Sequence, residues 1–390
     1  MTTAPRASFS LLSTVDVSTG LVGTHTSAKQ LLGVGMRFRQ NYTKVLVMAA
    51  WLAIVFNTAS VLAQRYAQTN IVSDLPGVAI TQDTNLKNAW GIAFGPGSPI
   101  WVADNGTGLS TLYSGTGTII PLVVTIPAPA GDDTSAPTGL VFNGSGDFVV
   151  TKDRKSGASI FIFDTEDGTI VGWSPGVDLT NGVIAVPNSH GAIYKGLAIA
   201  KTSNGRFLYA SDFHNGVVEI YNSHFQLQKS FTDTSLPDGY APFGIQNING
   251  QIFVTFAKQD ELKEDEIAGP GLGFVDIFDT DGNLVRRFAS HGPLNAPWGL
   301  AMAPATFGKF ANALLVGNFG DGRISAFDPT SGKFLGRLRN TQGEILSIDG
   351  LWAITPGGAA GTAPDDLLFT AGPNEEENGL LGKLNPEVSH

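Results

Sequence analysis

Cysteine is absent from the 390 residues, which removes disulfides, thiolate metal sites and a cysteine nucleophile together. Stability has to come from packing. Charge is scarce as well: 15% of the residues are Asp, Glu, Lys or Arg, with 34 acidic against 24 basic, so the formal net charge is −10. Proteins that grip a phosphate backbone gather Lys and Arg on one face. No basic run occurs in the body of this chain, so nucleic acid is not an expected partner. Also missing are a Gly-x-Ser-x-Gly elbow, a phosphate-binding Gly-rich loop and a His-Glu-x-x-His helix. No residue announces itself as a nucleophile.

Glycine is plentiful instead, at 48 residues, and 42% of the chain is hydrophobic. That mixture suits tight turns between buried strands better than helices with charged outer faces, so an all-β fold is expected. A repeated unit organises it. In residues 296–338 four short apolar or alternating runs are separated by Gly, Pro, Asn and Asp, the local pattern of an antiparallel meander. One meander cannot bury both its faces, and the unit recurs. The copies open at Trp90-Gly91, Thr138-Gly139, Lys195-Gly196, Phe243-Gly244, Trp298-Gly299 and Gly350, with glycines 48, 57, 48, 55 and 51 residues apart. Propeller blades repeat at about 40–50 residues. Second strands are expected at 100–104, 148–153, 207–212, 252–256, 314–318 and 367–371, with hairpins for third and fourth strands at 160–173, 218–231, 275–288 and 324–338. The sixth copy runs out after residues 379–384 without a fourth strand. Residues 69–75 precede the first copy and supply it, closing a six-bladed β-propeller of four-stranded antiparallel blades with short, protected edges.

Upstream the composition changes. Residues 36–44 are cationic and 45–63 largely apolar, ending in Val61-x-Ala63 of the small-residue cleavage type, so 36–63 reads as a secretory signal peptide cut after Ala63. An uncleaved anchor helix is the alternative, because the apolar run is nearly long enough to span a bilayer. Residues 1–35, rich in Ser, Thr and Gly, read as a disordered or mis-assigned N-terminal extension. Residues 64–390 then form a single propeller domain, expected to be a secreted or periplasmic monomer with no stable membrane span after cleavage.

The Trp/Phe-Gly-Leu/Ile-Ala openings, the second strands ending in Ala-Asp or Gly-Asn, and the Phe-Asp hairpins closed by Gly resemble the six-bladed β-propellers of the NHL-repeat type. With AGPNEEENG at 371–379, the chain is similar to an exported bacterial propeller family with no established activity. The likeness spans about residues 68–385 and implies the fold, while propellers host unrelated functions. Some NHL-type propellers are lyases with a metal at the central channel, and the related gluconolactonase-like propellers are metal-dependent hydrolases. The resemblance therefore keeps a metal-dependent lyase or hydrolase open beside a non-enzymatic binding or scaffold module.

In such a ring the connection leaving a second strand and the one entering a first strand share a face. That face is expected to gather Asp104 and Asn105, Asp153, Asp212, Asn318 and Asp321, and Asn374 and Glu375 with the two glutamates that follow. These are candidates for binding a protein, glycan or small-molecule ligand, with turn capping by Asx side chains as the structural alternative. His190, His214 and His291 fall on the same face. Three imidazoles with carboxylates form a donor set for Zn²⁺, and carboxylates alone suit Ca²⁺. The charged insertion at 257–271 reads as a solvated loop or short helix projecting from this face, with a lid over the channel mouth as the alternative.

Overall fold

The computed structural model describes residues 64–130, 134–188 and 190–387; the expected extension and signal peptide lie outside them. Six antiparallel sheets follow one another along the chain, each stepping outward from an innermost strand. Those innermost strands are Ala89–Ala93, Pro137–Phe142, Tyr194–Thr202, Tyr240–Ile248, Pro297–Met302 and Leu351–Pro356. Each packs on the next and the sixth packs on the first, so the ring closes. Helix among the described residues is limited to single turns at Asn105–Thr107 and Gly308–Phe310. No described helix is long and apolar enough to cross a membrane.

Closure uses the N-terminal strand. Tyr66–Ser73 runs antiparallel to Leu380–Pro386, from Tyr66 opposite Pro386 to Ser73 opposite Leu380, and forms the fourth strand of blade six. It begins three residues earlier than the sequence suggested. Tyr66 explains the early start: its ring lies 4.7 Å from that of Phe307, and its hydroxyl donates to the Phe307 carbonyl. Thr81–Gln82 adds a short parallel strand outside it.

Apolar side chains alternate between the two faces of each blade and meet those of the next blade. Six buried clusters result, one for each pair of neighbours, and a seventh lies on the axis. The inner strands crowd that axis. At Gly244 an added Cβ would stand 2.0 Å from the Trp298 carbonyl oxygen of the next blade, which is why a residue without a side chain is needed there.

Two strand assignments are corrected. In blade two the second strand is Phe161–Thr165, followed by Ile170–Trp173 and Val183–Val186. The expected second strand, Val149–Lys152, pairs with Lys155–Ala158 in a separate two-stranded hairpin. The reason is burial: a second strand is covered on both faces, and Phe161–Thr165 is buried throughout, whereas Val149 is 52% exposed. Asp153 therefore sits in the turn of that hairpin with φ 50°, rather than at the end of a blade strand. In blade six, Leu351 faces Ala371 as Pro297 faces Asn318, so Trp352-Ala353 takes the place of Trp298-Gly299. Gly350 precedes the strand at φ 63°.

Candidate functional site

One position on the innermost strands builds the centre of the loop-rich face. The residues just before the repeated glycine, or before Ala353, are Trp90, Thr138, Lys195, Phe243, Trp298 and Trp352. The aromatics among them close the axis: Trp90 stacks on Trp352 at 3.5 Å, and Trp298 meets both edge-on at 6.1 and 5.9 Å. Below this plug the axis continues as a channel of about 50 Å³ lined by Leu140, Leu197, Ile245, Leu300 and Ile354. A void of that size holds a water or two.

Lys195 is the exception in the ring. Its side chain is only 2% exposed, and its ammonium lies 5.4 Å from the Trp90 ring and 6.0 Å from that of Phe213. A buried ammonium requires compensating charge, and loops of several blades supply it. Glu166 of blade two pairs with Nζ directly, and Asp265 from the blade-four insertion stands 3.2 Å away. Asn105 donates to Glu166 at 2.9 Å and Asn88 donates to Glu376 at 2.6 Å, both asparagines belonging to blade one. Asn88 also donates to Asn105 at 3.1 Å while accepting from Trp352 Nε1 at 3.0 Å. Trp298 Nε1 donates to the Lys195 carbonyl at 2.7 Å, joining the cage to the plug.

Glu376 reaches the cage through an unusual turn. Asn374, Glu375 and Glu376 all adopt left-handed backbone, with φ 58°, 55° and 66°. Side-chain residues enter that region at a cost of about 1–2 kcal/mol each. Such strain concentrates where surrounding structure fixes a functional geometry.

Four carboxylates, Glu166, Asp265, Glu266 and Glu376, thus surround one ammonium. Burial lowers the Lys195 pKa, but Glu166, Glu266 and Asp265 more than offset it, so the amine stays charged. Glu266 is pushed up to about 8 by burial, with repulsion from Glu376 and Asp265 adding to it against the pull of Lys195. Glu376 is also raised, first by burial, then by Glu166 and Asp265, against the Asn88 hydrogen bond and Lys195. The mouth carries four carboxyls against one ammonium.

Asp104, Asp212 and Asn318 occupy matching ends of second strands, opposite Ala89, Tyr194 and Pro297, and each offers its carbonyl to a later glycine N–H, of Gly108, Gly216 and Gly322. Asp104 is wholly buried, and its pKa is raised well above the ordinary value, chiefly by burial. Asn318 donates to the Pro293 carbonyl and to Asp321, which also pairs with Arg323 at 3.3 Å. Asn374 donates to Asn378, and Glu375 is exposed. His190 lies with Asp212 and Glu219, their ligand atoms all within 4.8 Å of one another. His214 and His291 do not join that group. Instead, His291 Nδ1 meets the Gly271 carbonyl at 2.8 Å, and His214 buries Nδ1 without a hydrogen-bond partner among the described residues.

Sequence reasoning named Asn105 and Glu376 at the mouth but missed Lys195, Glu166, Asp265 and Glu266 as a set. The signal was present, a lysine in a slot that four other copies fill with Trp or Phe. The insertion extends a strand, Gln251–Gln259, pairs through Glu266–Ile267, and places its acids on the mouth.

The uncharacterized protein R648 of Acanthamoeba polyphaga mimivirus is 34% identical over 324 residues, which cover 80% of this chain and 78% of that protein. The chain belongs to the R648 family. Uncharacterized protein L690 of the same virus is 31% identical over 324 residues, covering 80% of this chain and 84% of that protein. No family model matches. Among solved structures, a streptogramin B lyase is 14% identical with a TM-score of 0.50, covering 83% of this chain and 98% of that one. A glucose dehydrogenase is 12% identical, also at 0.50, covering 78% and 98%. At these identities the R648-family chain shares the propeller fold with them.

Proposed function

We propose that this R648-family protein is a binding propeller whose ligand presents a cationic group to the acidic mouth of the loop-rich face. The observation that carries this reading is the convergence of Glu166, Asp265, Glu266 and Glu376, from three blades, on one mouth sealed beneath by tryptophans. A surplus of carboxylates gathered on one face attracts and orients positive charge. An arrangement built on rigid strands and cross-linked loops supplies preorganisation, which lowers the ordering cost of binding. A thermal-shift panel tests it: spermidine, arginine amide and choline raise the melting temperature while matched neutral and anionic compounds do not. Equal response to all three classes would refute the charge selectivity.

The same proposal places the protein outside the cytoplasm, with residues 36–63 as a leader. N-terminal sequencing of the exported product is expected to begin at Gln64; a mature chain beginning before Arg37 overturns cleavage.

A further inference from the structure

A second polar centre lies within blade three, built by His190 from the loop entering the blade, Asp212 at the end of its second strand and Glu219 on its third. From it we infer that this protein binds one divalent transition-metal ion of the Zn²⁺ class, through His190, Asp212 and Glu219.

Charge gives the first reason. Asp212 is fully buried and Glu219 is 4% exposed, yet among the described residues neither forms an ion pair with Lys or Arg. Their one basic neighbour in ion-pair range, among those residues, is His190, 3.0 Å from Glu219 Oε1 and 3.8 Å from Asp212 Oδ2. Two buried carboxylates beside a single imidazole leave a negative balance that a divalent cation neutralises.

Geometry agrees with charge. An ion held about 2.0–2.2 Å from imidazole nitrogen and carboxylate oxygen separates its ligand atoms by roughly 3–4 Å. The His190 distances of 3.0 and 3.8 Å fall in that interval, and the third pair lies within 4.8 Å. At Glu219 the supporting groups occupy one oxygen and leave the other for the ion. Tyr194 and Tyr221 each donate a hydroxyl to Glu219 Oε2 at 2.6 Å, which turns Oε1 toward His190. Asn215 donates through Nδ2 to Asp212 Oδ2 at 2.7 Å and through its backbone to Oδ1 at 3.1 Å. Such outer partners fix ligand orientation and tune affinity. His190 is 40% exposed, so an ion reaches the centre from solvent and keeps at least one position for water. A mixed nitrogen and oxygen donor set with an open position suits Zn²⁺ and its first-row neighbours better than Ca²⁺, which takes six to eight oxygens.

The test uses the full chain, stripped with EDTA and dialysed, then titrated with Co²⁺ as a spectroscopic probe and with Zn²⁺ in competition. The expected result is visible d–d absorption saturating at one Co²⁺ per chain and displaced by Zn²⁺. His190→Ala, at an exposed position that does not threaten folding, lowers Co²⁺ affinity by about 100-fold or more, since even outer-shell partners contribute 10–100-fold. Glu219→Gln, confirmed folded by circular dichroism, does the same, whereas His291→Ala leaves the titration unchanged. Absence of saturable absorption in the unmodified chain, or an unaltered titration in His190→Ala, overturns the assignment.

Discussion

Lys195 is the buried member of the mouth, and its removal leaves the partly buried Glu166, Glu266 and Glu376 to repel one another without a countercharge. Breaking a buried ion pair by removing one partner costs about 3–5 kcal/mol. Lys195→Met is therefore expected to lower unfolding free energy by that order in urea titration, and Lys195→Arg by less. A change under about 1 kcal/mol would show that the cage is solvated. Asp164 gives a different residue-scale prediction. Its carboxylate accepts from Thr138 and the Gly139 N–H at 2.9 and 2.6 Å, yet burial raises its pKa to about 7. The folded chain holds a proton there that the unfolded chain releases near pH 3.8. The resulting stabilisation is complete below about pH 4 and is lost as pH rises through 7. The loss amounts to roughly 1.4 kcal/mol for each pH unit over which only the folded chain keeps the proton. Asp164→Asn is expected to flatten that part of the stability profile relative to the unmodified chain, measured by denaturant titration from pH 4 to 8. An unchanged slope would contradict the assignment.

At the scale of elements, the period, the six inner strands and the borrowed closing strand are legible in the sequence because each depends on local pattern. Tryptophan, glycine and apolar runs recur at near-constant spacing. Blade two is misread because Val149 and Val150 look as strand-like as Phe161 to Phe163, and only burial on both faces separates them. The mouth is barely legible, since Glu166, Lys195, Asp265 and Glu376 come from four blades with no spacing to link them. The blade-four insertion carries two of its acids. Glu266 there ionises as pH passes about 8, beside Lys195, Asp265 and Glu376, so cation affinity should rise between pH 7 and 9. Glu266→Gln abolishes the rise, as read by titrations at three pH values. The closing strand makes its own prediction: a chain starting at Asp74 exposes the edge of Leu380–Pro386 and is expected to aggregate or melt earlier and less cooperatively. Unchanged melting would mean that closure contributes little.

For the whole molecule, closure and acidity act together. A ring of six blades holds loops far apart in sequence within hydrogen-bond distance on one face, and a net charge of −10 biases the surrounding field toward cations. Family membership with R648 and L690 extends over most of the chain, so the propeller belongs to those mimivirus proteins as well. The most direct test of the cationic mouth is calorimetric titration with spermidine in the presence of EDTA, comparing the unmodified chain with Glu166→Gln/Glu376→Gln. An acidic mouth that holds a cation predicts saturable one-to-one binding that the double variant weakens at least about tenfold, equivalent to roughly 1.4 kcal/mol. Binding of equal strength in both proteins, or no saturable heat in the unmodified chain, would contradict it.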